Sequence, residues 1–242
     1  MLFTYNTNRM KRKIYSTLAV FTLLLFASCA CTKNDRKSER KITQSSKIKY
    51  FKNVNIEGCY NVYFEQADSA SIRFEGSEKA IQQLRITCDG NTLDIKRKEK
   101  DKWLNFCNQE DVDIYITSPD LVSVYLKGTG EFEVHKRLDT DTLSVSLMGT
   151  GDIDIKDLIC DKVKVNLKGT GDINIKNVIT SQAFVSLLGT GDIKVHFEKC
   201  QWAQCSLQGT GDIDVSGTVN TYKEKKQGTG SIDTDNLHIL SK

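Results

Sequence analysis

The chain has 242 residues, with 34 Lys and Arg against 31 Asp and Glu. Its first 28 residues hold Arg9, Lys11, Arg12 and Lys13 and no acid, which leaves 30 basic residues against 31 acidic in the remainder. That balance excludes the basic footprint of a nucleic-acid-binding domain, so no nucleic-acid partner is expected.

The N-terminus reads as an address. Met10-Lys11-Arg12-Lys13 precedes an apolar run from Ile14 to Phe26, then Ala27-Ser28-Cys29. Charged, apolar and small residues in that order make a secretory signal, and the run falls short of the roughly 20 residues a spanning helix needs. Phe26-Ala27-Ser28-Cys29 resembles a bacterial lipobox, with Phe26 in the place usually held by leucine. The resemblance implies cleavage before Cys29 and acylation of its sulfur and new amino group. Residues 1–28 are therefore expected to be a signal peptide and Cys29 the lipidation site. The partner at that end is the membrane, through the anchor. Between residues 31 and 47 Ile42 is the one aliphatic residue, and such a segment buries too little apolar surface to order itself. Residues 29–47 are read as a polar tether. Seven cysteines follow Cys29 without any CxxC pair, so no zinc site is indicated; their pairing stays open.

Residues 48–120 show short alternating runs: Val54-Asn55-Ile56, Val62-Tyr63-Phe64, Ile72-Arg73-Phe74, Leu93-Asp94-Ile95 and Val112 to Ile116. Turn signals such as Asp89-Gly90-Asn91 separate them. Residues 78–84 are the one expected helix. The segment is expected to be β-rich and to cap the C-terminal half of the chain, because an open sheet end exposes unpaired strands.

Residues 121–242 are repetitive. Gly-Thr-Gly begins at Gly128, Gly149, Gly169, Gly189, Gly209 and Gly228, at spacings of 21, 20, 20, 20 and 19. Aligned on that motif, apolar columns appear: Phe132, Ile153, Ile173, Ile193, Ile213 and Ile232 after it, and alternating sets such as Val122, Val124, Leu126 and Val163, Val165, Leu167 before it. Alternation inside a unit means strands with one buried face. Columns that repeat between units mean stacked coils ~4.8 Å apart that share one core. A propeller blade needs ~40–45 residues, so units of this length exclude it. The predicted fold is all-β: a right-handed parallel β-solenoid with 20-residue coils, uninterrupted because Pro119 is the sole proline. The glycines Gly128, Gly130, Gly149, Gly151, Gly169, Gly171, Gly189, Gly191, Gly209, Gly211, Gly228 and Gly230 are read as structural turn residues. The threonines between them are expected to form a hydroxyl column.

Four features together resemble one family: Phe51-Lys52-Asn53-Val54, Val62-Tyr63-Phe64-Glu65-Gln66, Ser118-Pro119-Asp120-Leu121 and the Gly-Thr-Gly-Asp-Ile units. From about Tyr50 to Leu240 the chain is similar to the putative auto-transporter adhesin, head GIN domain. The resemblance implies a secreted β-solenoid and names no activity. No C-terminal membrane barrel is recognisable, so attachment is expected through Cys29.

Candidate sites are few. Asp152, Asp172, Asp192 and Asp212 form one column; stacked carboxylates repel, and backbone N–H groups are the expected compensation. A calcium ion is the weaker reading, since calcium takes six to eight oxygens. His135 and His196 share a column three coils apart, too far for one metal, and His238 lies near the C-terminus. Trp103, Tyr125, Trp202 and Tyr222 are candidates for outward aromatics able to stack on sugars or a partner. Coils that depart from 20 residues by one at most leave no long loops for a catalytic cleft, and no Ser/His/Asp or Cys/His arrangement is visible. The expectation is a non-catalytic envelope lipoprotein with no cofactor, facing the periplasm or cell surface from the outer membrane. Its solenoid faces would serve adhesion or scaffolding, with an envelope protein or a glycan as partner. The alternatives are a carbohydrate-binding accessory protein and, behind it, a polysaccharide-degrading β-helix enzyme.

Overall fold

The structure, a computed structural model, describes residues 41–98 and 112–241. The signal segment, Cys29 and Trp103 lie outside the described residues. The N-terminal elements are β1 (Lys41–Lys47), β2 (Asn53–Gly58), β3 (Asn61–Gln66), β4 (Ser71–Ser77), α1 (Glu78–Gln83), β5 (Leu84–Asp89), β6 (Thr92–Arg97) and β7 (Asp113–Ser118). The repeats supply β8 (Ser123–Gly128), β9 (Glu131–Asp139), β10 (Thr142–Gly149), β11 (Asp152–Gly169), β12 (Asp172–Gly189), β13 (Ile193–Gly209) and β14 (Ile213–Gly228). Two short strands come last, β15 (Ile232–Asp233) and β16 (Leu237–Ile239).

The repeats form a parallel β-solenoid. Ile153 pairs with Ile173, Ile173 with Ile193 and Ile193 with Ile213, so each residue lies over its counterpart one coil away. β11 and β12 each run for 18 residues, so Gly-Thr-Gly is the main interruption of each coil. Val163, Val165, Leu167, Ile173, Ile175 and Val178 are all at most 1% exposed. Full burial of each such side chain contributes roughly 1.5–3 kcal/mol, and because the columns are continuous a single core spans the described residues.

The two glycines of the motif answer different constraints. Gly169 has φ +146°, a conformation closed to side chains, whereas Gly171 has no positive φ. At both, an added Cβ would lie closer than 3.0 Å to the carbonyl oxygen of the glycine one coil below. At Gly169 the approach is close because Gly149 O accepts two bonds, from the N–H of Thr170 at 2.9 Å and of Gly171 at 3.3 Å. The turn is thus laddered by backbone, and the threonine side chains are exposed.

The N-terminal segment is more than a lid. β2 pairs in parallel with β8, Gly58 facing Gly128, and β3 pairs in parallel with β9. Gly58-Cys59-Tyr60 therefore occupies the place of Gly-Thr-Gly, and Gly58 has φ +139°. The true cap lies above this coil. β6 and β7 pair in parallel with β2 and β3, after which β5 on β6, β4 on β7 and β1 on β4 are antiparallel. The expected helix is α1, its N–H at Ala80 bonded to Ser77 Oγ at 3.1 Å, a side-chain N-cap.

Two expectations change. The tether stops short of residue 47, because Lys41–Lys47 adds an edge strand to β4 and Ile42 packs against the core. In the first Gly-Thr-Gly coil Leu121 is fully buried while Val122 is only half-buried, where the chain enters from Pro119-Asp120 just before β8 begins at Ser123. At the far end, β15 and β16 cover residues 213–219 of β14. Beyond them Tyr222, Glu224 and Lys226 take the inward register positions over Ala203, Cys205 and Leu207. Charges pointing inward on an edge strand oppose further pairing.

Candidate functional site

Alternation puts every second side chain of each coil outside, and the two faces flanking the glycine turn differ in charge. On the face before the turn, the outward positions from β8 to β14 carry Lys127, Lys162, Lys164, Lys168, Lys223 and Lys225 and no carboxylate. On the face after it they carry Glu131, Glu133, Asp152, Asp154, Asp172, Asp192, Asp212 and Asp214 against Lys156, Lys176 and Lys194, an excess of acid. The segregation follows from the repeat, because one residue type at one motif position becomes a whole column.

The aspartate column is held by backbone. Asp172, Asp192 and Asp212 each donate a main-chain N–H to Oδ1 of the aspartate one coil before, all at 3.0 Å. Ser231 ends the series with N–H and Oγ bonds of 2.7 Å to Asp212 Oδ1, and these bonds hold the Asp212 carboxyl below the usual carboxylate range. Beside the column, Asn174 donates to Asp154 Oδ1 at 2.9 Å. Among the described residues, no group of three or more His, Cys, Asp or Glu is arranged to hold a metal ion.

The histidines are dispersed. His196 Nδ1 lies 2.9 Å from Ser216 Oγ, His135 Nε2 lies 3.1 Å from Glu133 Oε2, and His238 is exposed. His135 also stacks on Tyr63, which stacks on Tyr115 with centroids 4.9 Å apart, and Arg73 caps that ring at 3.8 Å. This ladder brings together the cap and the first coils, which no repeat register could indicate. Cys160, Cys200 and Cys205 are buried free thiols. Thr180 separates Cys160 from Cys200 in their column.

The outward aromatics divide. Tyr125 faces out, its hydroxyl 3.5 Å from Met148 Sδ. Trp202 is half-buried against Phe184, centroids 5.0 Å apart at 58°. Tyr222 does not project outward: it lies six residues before Gly228, the same offset as inward Ala203 from Gly209, and its hydroxyl donates to Glu224 Oε2 at 3.1 Å. Phe184 was not among the expected residues. It stands in the register position of Lys164, and Lys162 Nζ lies 5.0 Å from its ring centroid. Alignment on the motif exposes it, as the one ring in a column of Ser144, Lys164 and Gln204. An open groove of about 310 Å³ lies where residues 139–141, 159–161 and 179–181 stack, lined by Asp139, Asp141, Asp161, Thr180 and Lys199 among others.

Solved structures share this architecture. A putative adhesin from Bacteroides fragilis is similar over 81% of this chain and 97% of its own, with 24% identity and a TM-score of 0.65. A putative lipid binding protein from Parabacteroides distasonis is similar over 81% and 96%, with 20% identity and a TM-score of 0.64. A putative adhesin from Parabacteroides merdae covers the same shares, with 16% identity and a TM-score of 0.51. No curated protein matches the chain. Residues 50–195 and 167–240 match the family whose features the capping strands and the Gly-Thr-Gly coils carry. The chain belongs to the family of the putative auto-transporter adhesin, head GIN domain.

Proposed function

We propose that the protein is a non-catalytic adhesin of the cell envelope, tethered by lipid at Cys29, that engages partners through the solenoid face before the glycine turn. The observation that carries the reading is the outward surface of that face. Ser144, Asn166, Ser186 and Gln204 alternate with buried residues on successive coils, beside exposed lysines and the Phe184–Trp202 pair. Such a surface is repetitive and polar, and its aromatic pair is of the residue type enriched in interfaces. The family's description is that of an adhesin, and adhesion places the chain at the cell surface or envelope.

The test compares attachment and aggregation of cells lacking the protein with cells complemented by the full chain. Complementation by Lys164→Ala or Asn166→Ala is expected to restore the protein but only weakened attachment. Equal attachment with and without the protein sinks the reading. The aromatic pair favours a second reading, a carbohydrate-binding accessory protein, because aromatic rings present rigid contact area at low entropic cost.

A further inference from the structure

The lysine face has a composition that narrows its ligand. Lys162, Lys164 and Lys168 lie on one coil, and all three are exposed. Along an extended strand Lys162 and Lys164 stand about 6.6 Å apart and Lys168 about 20 Å from the first. Among the described residues none of the three has a carboxylate partner. One coil toward the N-terminus the row is bordered by Thr142, Ser144 and Ser146, and Lys168 itself lies between Met148 and Leu188. One coil toward the C-terminus stand Gln182, Phe184 and Ser186, with Trp202 one coil beyond.

We infer that this face binds an acidic polysaccharide, one whose sugars carry carboxylate or sulfate groups. The inference rests on the adhesin reading and names the ligand class of the same face. Each element of the surface has a counterpart in such a ligand. The lysine row supplies mobile ammonium groups for anionic substituents at spaced intervals. The hydroxyl and amide columns exchange hydrogen bonds with sugar hydroxyls, and the Phe184–Trp202 pair covers an apolar sugar face. The two rings meet at 58°, so they offer one contact rather than the parallel series of platforms on which successive nucleic-acid bases stack. The face across the glycine turn, where eight carboxylates outnumber Lys156, Lys176 and Lys194, is net acidic and favours the lysine side for a polyanion.

The experiment uses the full chain in detergent, titrated with polygalacturonate and with dextran sulfate. Dextran, single-stranded DNA and phosphatidylglycerol vesicles are the comparisons. Saturable binding to at least one acidic polysaccharide and none to dextran is expected. Lys164→Gln with Lys168→Gln should weaken it roughly tenfold to thirtyfold, from the worth of two lysines at a polyanionic surface. Trp202→Ala, which leaves the charge unchanged, should weaken it several-fold. The lysine variants bear exposed side chains and keep the melting curve, so they decide the matter even if Trp202→Ala unfolds. The inference is overturned if neither acidic polysaccharide binds or if dextran binds equally well. It is also overturned if DNA or vesicles bind as tightly and a folded Trp202→Ala has no effect. Attachment that needs Lys164 but is not competed by these polysaccharides refutes the ligand and leaves the adhesin. Polysaccharide binding without attachment refutes the adhesin and leaves the ligand.

Discussion

Replacing Leu167 by alanine tests the stacked core directly. Leu167 is 1% exposed and pairs in register with Leu147 on one side and Leu187 on the other. The change deletes three carbons, about 0.8 kcal/mol each in lost transfer energy, or about 2.4 kcal/mol. The flanking coils are held apart by unbroken backbone ladders and cannot collapse into the gap, so a cavity term adds to the loss. The expected total is roughly 2–5 kcal/mol, and a loss of 3 kcal/mol lowers Tm by about 6–12 °C for a domain of this size. Lys164 belongs to the same strand, three residues away and exposed, and Lys164→Ala should cost less than about 0.5 kcal/mol. Urea and thermal melts of both variants, followed by circular dichroism, give the comparison. A harmless Leu167→Ala beside a severe Lys164→Ala would mean that the alternation is out of phase by one residue.

Four further outcomes are expected. Labelled fatty acid should be incorporated by the wild type and lost in Cys29→Ala; equal labelling ends the lipoprotein proposal. Gly169→Ala combines a forbidden φ with a clash, so it should destabilise more than Gly171→Ala, which adds only the clash, at about 1–3 kcal/mol. Thermal melts give the order, and exposed Thr170→Ala should be nearly silent. Peptide mapping without reductant should find Cys160 and Cys200 unlinked, because two coil spacings of ~4.8 Å exceed the reach of a disulfide. Burial pushes the Cys200 thiol up to about 11 and the Cys205 thiol up to about 12. A raised folded-state value means that the unfolded chain loses its protons first as pH rises past about 9. Stability should therefore decline through that alkaline range, and Cys205→Ala should flatten the decline in melts recorded from pH 8 to 11. An unchanged slope would contradict the burial of the thiol.

Repetition made most of this fold legible. Ile153, Ile173, Ile193 and Ile213 repeat one environment, so a weak preference is written many times and period and burial emerge without any contact being known. The coil, the inward columns and the separation of Cys160 from Cys200 were determined by the sequence in this way. The cap was less so, because each of its elements occurs once. Gly58-Cys59-Tyr60 carries a single motif glycine and is recognisable as a coil turn only when β2 is seen lying on β8. Lys41–Lys47 has no alternating apolar pattern and becomes a strand because the edge of β4 offers hydrogen-bond partners, an interaction that leaves no mark on composition. The candidate site divides likewise. The aspartate column is plain from spacing, whereas its use as a chain of N–H acceptors depends on side-chain rotamers. Arg73, Tyr115, Tyr63 and His135 meet only because β4, β7, β3 and β9 are neighbours in space, a juxtaposition that tertiary structure alone decides, since spacing along the chain says nothing about contacts made once.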